Sequence, residues 1–238
     1  MRKIIIAFLL LTAAYGFAQN QPVFNNMRTF TANSTLQLPK GTTRIMAEVW
    51  GAGGGGTVVG GGGGGAYGKV FIDVSEGTNI LVEVGQGGTG HLTNANSGQS
   101  SGIGLKTASG SSILFRVQGG TGSETSFNTA GGATGGKKAD AANASIGYVF
   151  IPGEDGELYV DNSHQSGNAQ VITRNYGDGG NAGNTLYTGG RGAVAVTTSG
   201  TVSGIRTGTD GKMPGGGGGA GTGTKGYNGG NGMVIIYY

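Results

Sequence analysis

Three uninterrupted glycine runs, Gly53–Gly56, Gly60–Gly65 and Gly215–Gly219, limit this chain more than any other feature. Glycine loses more conformational freedom on ordering than any other residue and weakens helix interiors by about 1 kcal/mol relative to alanine, which argues against a helical fold. Residues 51–65 hold eleven glycines in fifteen, residues 177–192 seven in sixteen and residues 200–232 fifteen in thirty-three. The runs do not repeat at every third position, and proline numbers only four, so collagen is excluded. Serine is not enriched beside glycine, and each tract is bounded by strand-like sequence, unlike a flexible linker.

The bounding segments alternate with the two-residue period of half-buried strands. Ile45, Ala47 and Val49 share one face, as do Val70, Ile72 and Val74. Ile80, Val82 and Val84 form a third such set, Ile113, Phe115 and Val117 a fourth, and Val234, Ile236 and Tyr238 close the chain. Shorter candidates lie at residues 29–38, 148–151, 158–160, 170–174 and 193–196. No stretch has a 3.6-residue apolar period. The expected fold is all-β, a jelly-roll-like β-sandwich. The glycine tracts are expected to pack side by side as polyglycine-II helices, whose outward N–H and C=O groups can bond to one another once no side chain intervenes, with disordered loops as the alternative.

The first eighteen residues read as an export signal. Met1-Arg2-Lys3 is a basic start, Ile4–Leu11 an apolar run too short to span a bilayer, and Gly16 and Ala18 the small residues of a cleavage site. The expected organisation is a leader at 1–18 and one glycine-rich β domain at 19–238. The chain is expected to be secreted or held at the cell surface, with the periplasm as the alternative. No membrane span is expected in the processed chain. Without Arg2 and Lys3, 13 basic side chains face 12 acidic ones, scattered and with no basic stripe, so no nucleic-acid binding is expected.

Catalytic motifs dissolve on inspection. Gly51-x-Gly53-x-x-Gly56 lacks the helix that would hold a pyrophosphate, and Gly98-Gln99-Ser100-Ser101-Gly102 lacks the strand–turn–helix of a nucleophile elbow. Gly131–Lys138 has Lys138 where a phosphate loop needs Ser or Thr. Cysteine is absent, which removes thiol chemistry and zinc–cysteine sites. The carboxylates Glu154, Asp155, Glu157 and Asp161 read as a solvated hairpin turn at Gly153–Gly156. Asp178 with Asn175, Asn181 and Asn184 fits no established calcium loop. No enzyme activity, metal or cofactor is expected.

Residues 137–176 hold only four glycines in forty, together with Tyr148, Phe150, Tyr159, His164 and Tyr176. Residues 137–188 are therefore read as a variable, glycine-poor insertion. Aromatic faces stack on sugars or anchor protein contacts, which makes Tyr176, Tyr187, Tyr148 and His164 the candidate ligand-binding residues. Phe150 and Tyr159 read as core.

The segment Phe30–Gly56 carries a Pro39-Lys40-Gly41-Thr42-Thr43 turn and a strand ending Trp50-Gly51-Ala52-Gly53 before polyglycine. Gly60–Gly88 repeats polyglycine, strand, turn and strand, and Gly229–Tyr238 ends the chain with a Gly-Gly-x-Gly-x-Val-x-Ile strand. This pattern resembles a bacterial and phage glycine-rich domain family found in secreted surface proteins and phage tail-fibre adhesin tips. The glycine-rich extracellular part of anaplastic lymphoma kinase-type receptors is similar. The resemblance implies a sandwich with a polyglycine-II bundle and a surface adhesion or recognition role toward a cell-surface glycan or protein. The alternative is a self-associating subunit of an extracellular matrix or filament.

Overall fold

The computed structural model describes residues 24–107, 110–124, 133–142, 147–158, 160–166, 169–191, 193–198, 201–223 and 225–238. Residues 1–18, the expected leader, and Tyr159 lie outside the described residues. Among the described residues, fourteen strands run in chain order. They are β1 (Met27–Phe30), β2 (Ser34–Gln37), β3 (Arg44–Trp50), β4 (Tyr67–Asp73), β5 (Asn79–Glu83), β6 (Ser101–Thr107) and β7 (Gly110–Val117). The remainder are β8 (Ala139–Ala141), β9 (Tyr148–Ile151), β10 (Val160–Ser166), β11 (Ala169–Asn175), β12 (Val194–Thr198), β13 (Thr201–Arg206) and β14 (Met233–Tyr237).

The fold is an all-β sandwich. A front sheet, ordered β1-β14-β3-β4-β9, faces a back sheet, ordered β2-β5-β6-β7-β8, and every pairing is antiparallel. The alternating residues meet between them. Ile45, Ala47, Val49, Val70, Ile72, Val234 and Ile236 pack against Leu36, Ile80, Val82, Ile103, Phe115 and Val117. Gly68 stands on the inner face of β4, opposite Val49, because a Cβ there would meet the Phe115 ring at 2.5 Å.

Ile113 departs from the expected face. A bulge shifts the register of β6 and β7, so Ile103 pairs with Phe115 and Gly104 with Ile113. The extra residue is Leu114, and it packs on the core where strict alternation places Ile113. The glycine-poor stretch does not form one unit either. β8 and β9 extend the two sandwich sheets, whereas β10-β11-β12-β13 form a separate antiparallel meander running on to Arg206.

The glycine tracts pack as a hydrogen-bonded bundle. Along residues 51–57, successive N–H groups reach three different neighbours in turn. Gly51, Gly54 and Thr57 donate to Ala66, Gly63 and Gly60; Ala52 and Gly55 donate to Gln99 and Asn96; Gly53 and Gly56 donate to Gly230 and Tyr227. Partner numbers fall as donor numbers rise, so these neighbours are antiparallel. The carbonyls of the same tract accept from Gly120 and Ser123, from Gly88 and His91, and from Gly218 and Gly221, all running parallel. A repeat of three with neighbours on all sides is the hydrogen-bonding pattern of polyglycine II.

Residues 60–66 repeat the arrangement. Gly61 and Gly64 donate to Glu157 and Glu154, Gly62 and Gly65 to Gly218 and Gly215, and Gly63 and Ala66 to Thr121 and Gln118. Their N–H and C=O groups are thereby satisfied away from water, as burial requires. The distances run from 2.8 to 3.1 Å. The packing demands glycine: a Cβ on Gly54 would fall inside the van der Waals envelope of the Thr121 carbonyl oxygen, and one on Gly64 inside that of Asn181. Where a bundle segment reaches the surface, neighbouring side chains replace the missing helix. Asn228 Oδ1 and Asn231 Oδ1, three residues apart, each accept at 2.9 Å from Gly90 N and Gly87 N, also three apart.

Trp50 joins the two halves. Its indole packs on Tyr67 with ring centroids 4.9 Å apart and on Ala182, and Nε1 donates to the Gly183 carbonyl at 3.1 Å. Beside it, Glu48 accepts from the hydroxyls of Tyr67 (2.8 Å) and Tyr237 (3.0 Å), one at each carboxylate oxygen. Burial, together with the bond to this carboxylate, pushes both phenols above their ordinary pKa.

Candidate functional site

Four surface segments of the bundle enclose a polar groove. Residues 152–157 supply Glu154, Asp155 and Glu157, and residues 177–183 supply Asp178 and Asn181. Arg191 follows the loop that carries Tyr187, and Thr209 and Lys212 complete the wall around a cavity of about 440 Å³. The expected hairpin turn at Gly153–Gly156 is instead a bundle segment. Gly153 N and Gly156 N donate to Gly136 and Ala133 at three-residue spacing. With both glycines turned inward, the intervening acidic side chains reach the groove.

The walls are held by hydrogen bonds. Glu154 Oε2 accepts from Asn181 Nδ2 at 2.7 Å and from Asn181 N at 3.3 Å, and Asn181 Oδ1 accepts from Gly189 N at 3.0 Å. Asp155 Oδ1 accepts from Gly135 N at 2.8 Å and lies 3.7 Å from Lys137 Nζ. Arg191 N donates to Thr209 Oγ1 at 2.9 Å.

Tyr187 stands at the rim on a tightly tied loop. Thr188 Oγ1 accepts from Ala182 N at 2.9 Å, Thr185 Oγ1 donates to Ala182 O at 2.7 Å, and the two threonine hydroxyls lie 3.0 Å apart. These bonds close the base and project Leu186 (77 % exposed) and Tyr187 (84 % exposed) outward. Tyr187 has φ +60°, the left-handed region, which costs a non-glycine residue about 1–2 kcal/mol. The segment thus presents an aromatic face that nothing in the fold covers, beside donors and acceptors of both charges. Such a site can stack on a ring and hydrogen-bond its substituents.

Of the other sequence candidates, Tyr148 and Tyr176 do not line this groove. Tyr148 packs on Phe115 at 5.4 Å between centroids and borders a separate cleft of about 720 Å³, beside Phe71, Ile72, Leu114 and Val149. Tyr176 directly follows β11 as a half-buried residue whose N–H donates to Ala193 O at 2.9 Å. His164 lies in β10 opposite Val171. Arg191, Thr209 and Lys212 were not foreseen, because they are polar residues in separate tracts and only the bundle brings them to one surface. No group of three or more histidine or carboxylate side chains that could hold a metal ion occurs among the described residues. Among them, too, no helix is long and apolar enough to cross a membrane.

None of the curated proteins compared with the chain matches it. A family model described as a glycine-rich domain matches residues 29–238, from β1 through the whole bundle to the terminal strand. The chain belongs to this glycine-rich domain family.

Proposed function

We propose that the protein is an exported, non-enzymatic surface recognition module whose polar groove and Tyr187 bind a cell-surface glycan or protein. The carrying observation is Tyr187 itself: it is exposed, left-handed and braced by Thr185 and Thr188, at the mouth of a groove lined with hydrogen-bonding groups. An aromatic held in a costly backbone conformation with no packing role is best accounted for by a contact outside the chain. The basic start, apolar run and small residues of Met1–Ala18 support export from a bacterial cell. The Trp50-Gly51-Ala52-Gly53 pattern supports a relationship to surface proteins and adhesin tips in particular. A glycan array and a cell-surface binding assay with the processed chain test the reading. Binding lost on Tyr187→Ala, with the fold intact, supports it; a folded protein that binds no surface component overturns it.

A second reading, self-association into a matrix or filament, rests on β9. Among the described residues this strand has no partner on its outer edge, and it exposes Tyr148 and Val149 there. Sedimentation at high concentration separates the two, since a persistent monomer removes the second reading.

A further inference from the structure

A second pocket, of about 400 Å³, opens where the sandwich hands over to the bundle. Asn33 comes from the turn between β1 and β2, Gln86 from the exit of β5, Gln99 from the approach to β6, and Asn231 from the approach to β14. Among the described residues, no charged side chain lines it. Three of its amides are polarised in the same sense. Asn33 Oδ1 accepts from Val84 N at 2.7 Å, Gln99 Oε1 from Gln86 N at 3.4 Å, and Asn231 Oδ1 from Gly87 N at 2.9 Å.

Each of these bonds fixes an amide by its oxygen and leaves its NH₂ without an acceptor among the described residues. A primary amide ordinarily offers two donors and an acceptor with two lone pairs. Here the acceptor side of three amides is engaged by backbone, which leaves their neutral NH₂ groups as donors; the Gln86 amide and the Thr31 hydroxyl can donate or accept. Two further backbone N–H groups of the lining are engaged within the protein: Gly85 N donates to Ser101 Oγ at 2.9 Å and Gln99 N to Gln86 O at 3.0 Å. The complement to such a lining is an uncharged group rich in oxygen acceptors. A carboxylate gains no cation here, and an ammonium finds no carboxylate.

We propose that this pocket is a second binding site, for an uncharged sugar bearing a carbonyl acceptor, of the N-acetylated hexosamine type. Its volume falls within the range of small-molecule sites and accommodates one such ring. The site is separate from the Tyr187 groove and does not depend on the reading given to that groove.

The test is a titration of the processed chain, followed by the side-chain NH₂ resonances of Asn33, Gln99 and Asn231, with N-acetylglucosamine, glucose and acetate as probes. All three resonances are expected to move with N-acetylglucosamine, with a Kd in the millimolar range and about tenfold tighter than for glucose. Asn231→Asp keeps an oxygen for Gly87 N–H and removes the NH₂ donor. It is expected to weaken binding about tenfold while leaving the thermal midpoint in place. Tyr187→Ala is expected to leave this titration unchanged, so the two sites fail separately. Silence of the three resonances with every probe, a stronger response to acetate, or unaltered binding by Asn231→Asp would overturn the proposal.

Discussion

The indole Nε1 of Trp50 and the carbonyl oxygen of Gly183 lie 3.1 Å apart across 133 residues of sequence, and this bond ties the end of β3 to the bundle. Trp50→Phe keeps most of the apolar contact with Tyr67 and Ala182 but orphans that carbonyl. The expected loss is about 1–3 kcal/mol of stability, read as a lower denaturant midpoint. Trp50→Ala, which also empties the site, is expected to cost about 3–5 kcal/mol.

The bundle imposes a sharper rule on its glycines, and one tract shows both sides of it. A Cβ at Gly64 would collide with backbone that cannot move, the carbonyl of Asn181, whereas one at Gly60 makes contacts no closer than the Ser123 Cβ at 3.4 Å. Gly64→Ala is therefore expected to cost about 3 kcal/mol or more, and Gly60→Ala less than about 1 kcal/mol. Thermal unfolding of the two variants side by side checks this. Equal effects would mean that the tracts are not packed as described.

The sandwich was legible because its signal is local. Ile45, Ala47 and Val49 declare an inner face within five residues, and that face is buried. β6 gives little signal because Ser101-Gly102-Ile103-Gly104-Leu105 places glycine between its apolar residues, and alternation points Ile113 inward because a bulge carries no composition signal. The groove was hidden for a different reason. Which side chains leave the bundle depends on which glycines face inward, and that depends on neighbours far away in sequence. Glu154 and Lys212 meet one cavity only after Gly153, Gly156 and Gly211 have turned toward the bundle.

Glu48 gives the front sheet an alkaline limit. The Tyr67 and Tyr237 phenols are held above their ordinary pKa, Tyr67 strongly, by burial first and then by the bond to Glu48. A phenol raised in the folded state contributes stability that is complete below the unfolded value of about 10 and is lost as pH rises beyond it. Urea midpoints are expected to hold to about pH 9 and to fall toward pH 11. In the Tyr67→Phe, Tyr237→Phe double variant the fall is expected to be shallower, although the neutral-pH midpoint is lower because two hydrogen bonds are gone. An unchanged slope would mean that these phenols titrate normally.

Stability and recognition are expected to part at Tyr187. Its φ of +60° is strained for tyrosine and ordinary for glycine, and its exposed ring leaves little packing to lose. Tyr187→Gly removes the strain but gives the unfolded chain more freedom, so the net gain is expected to be small, up to about 1 kcal/mol. The same substitution deletes the aromatic face at the groove and is expected to abolish the surface binding proposed above. Tyr187→Phe keeps the face and the strain, so it is expected to bind, with any loss confined to contacts of the hydroxyl. Thermal midpoints and surface binding measured on the same three proteins decide the matter. A destabilised Tyr187→Gly would give the ring a structural role, and undiminished binding by that variant would remove it from recognition.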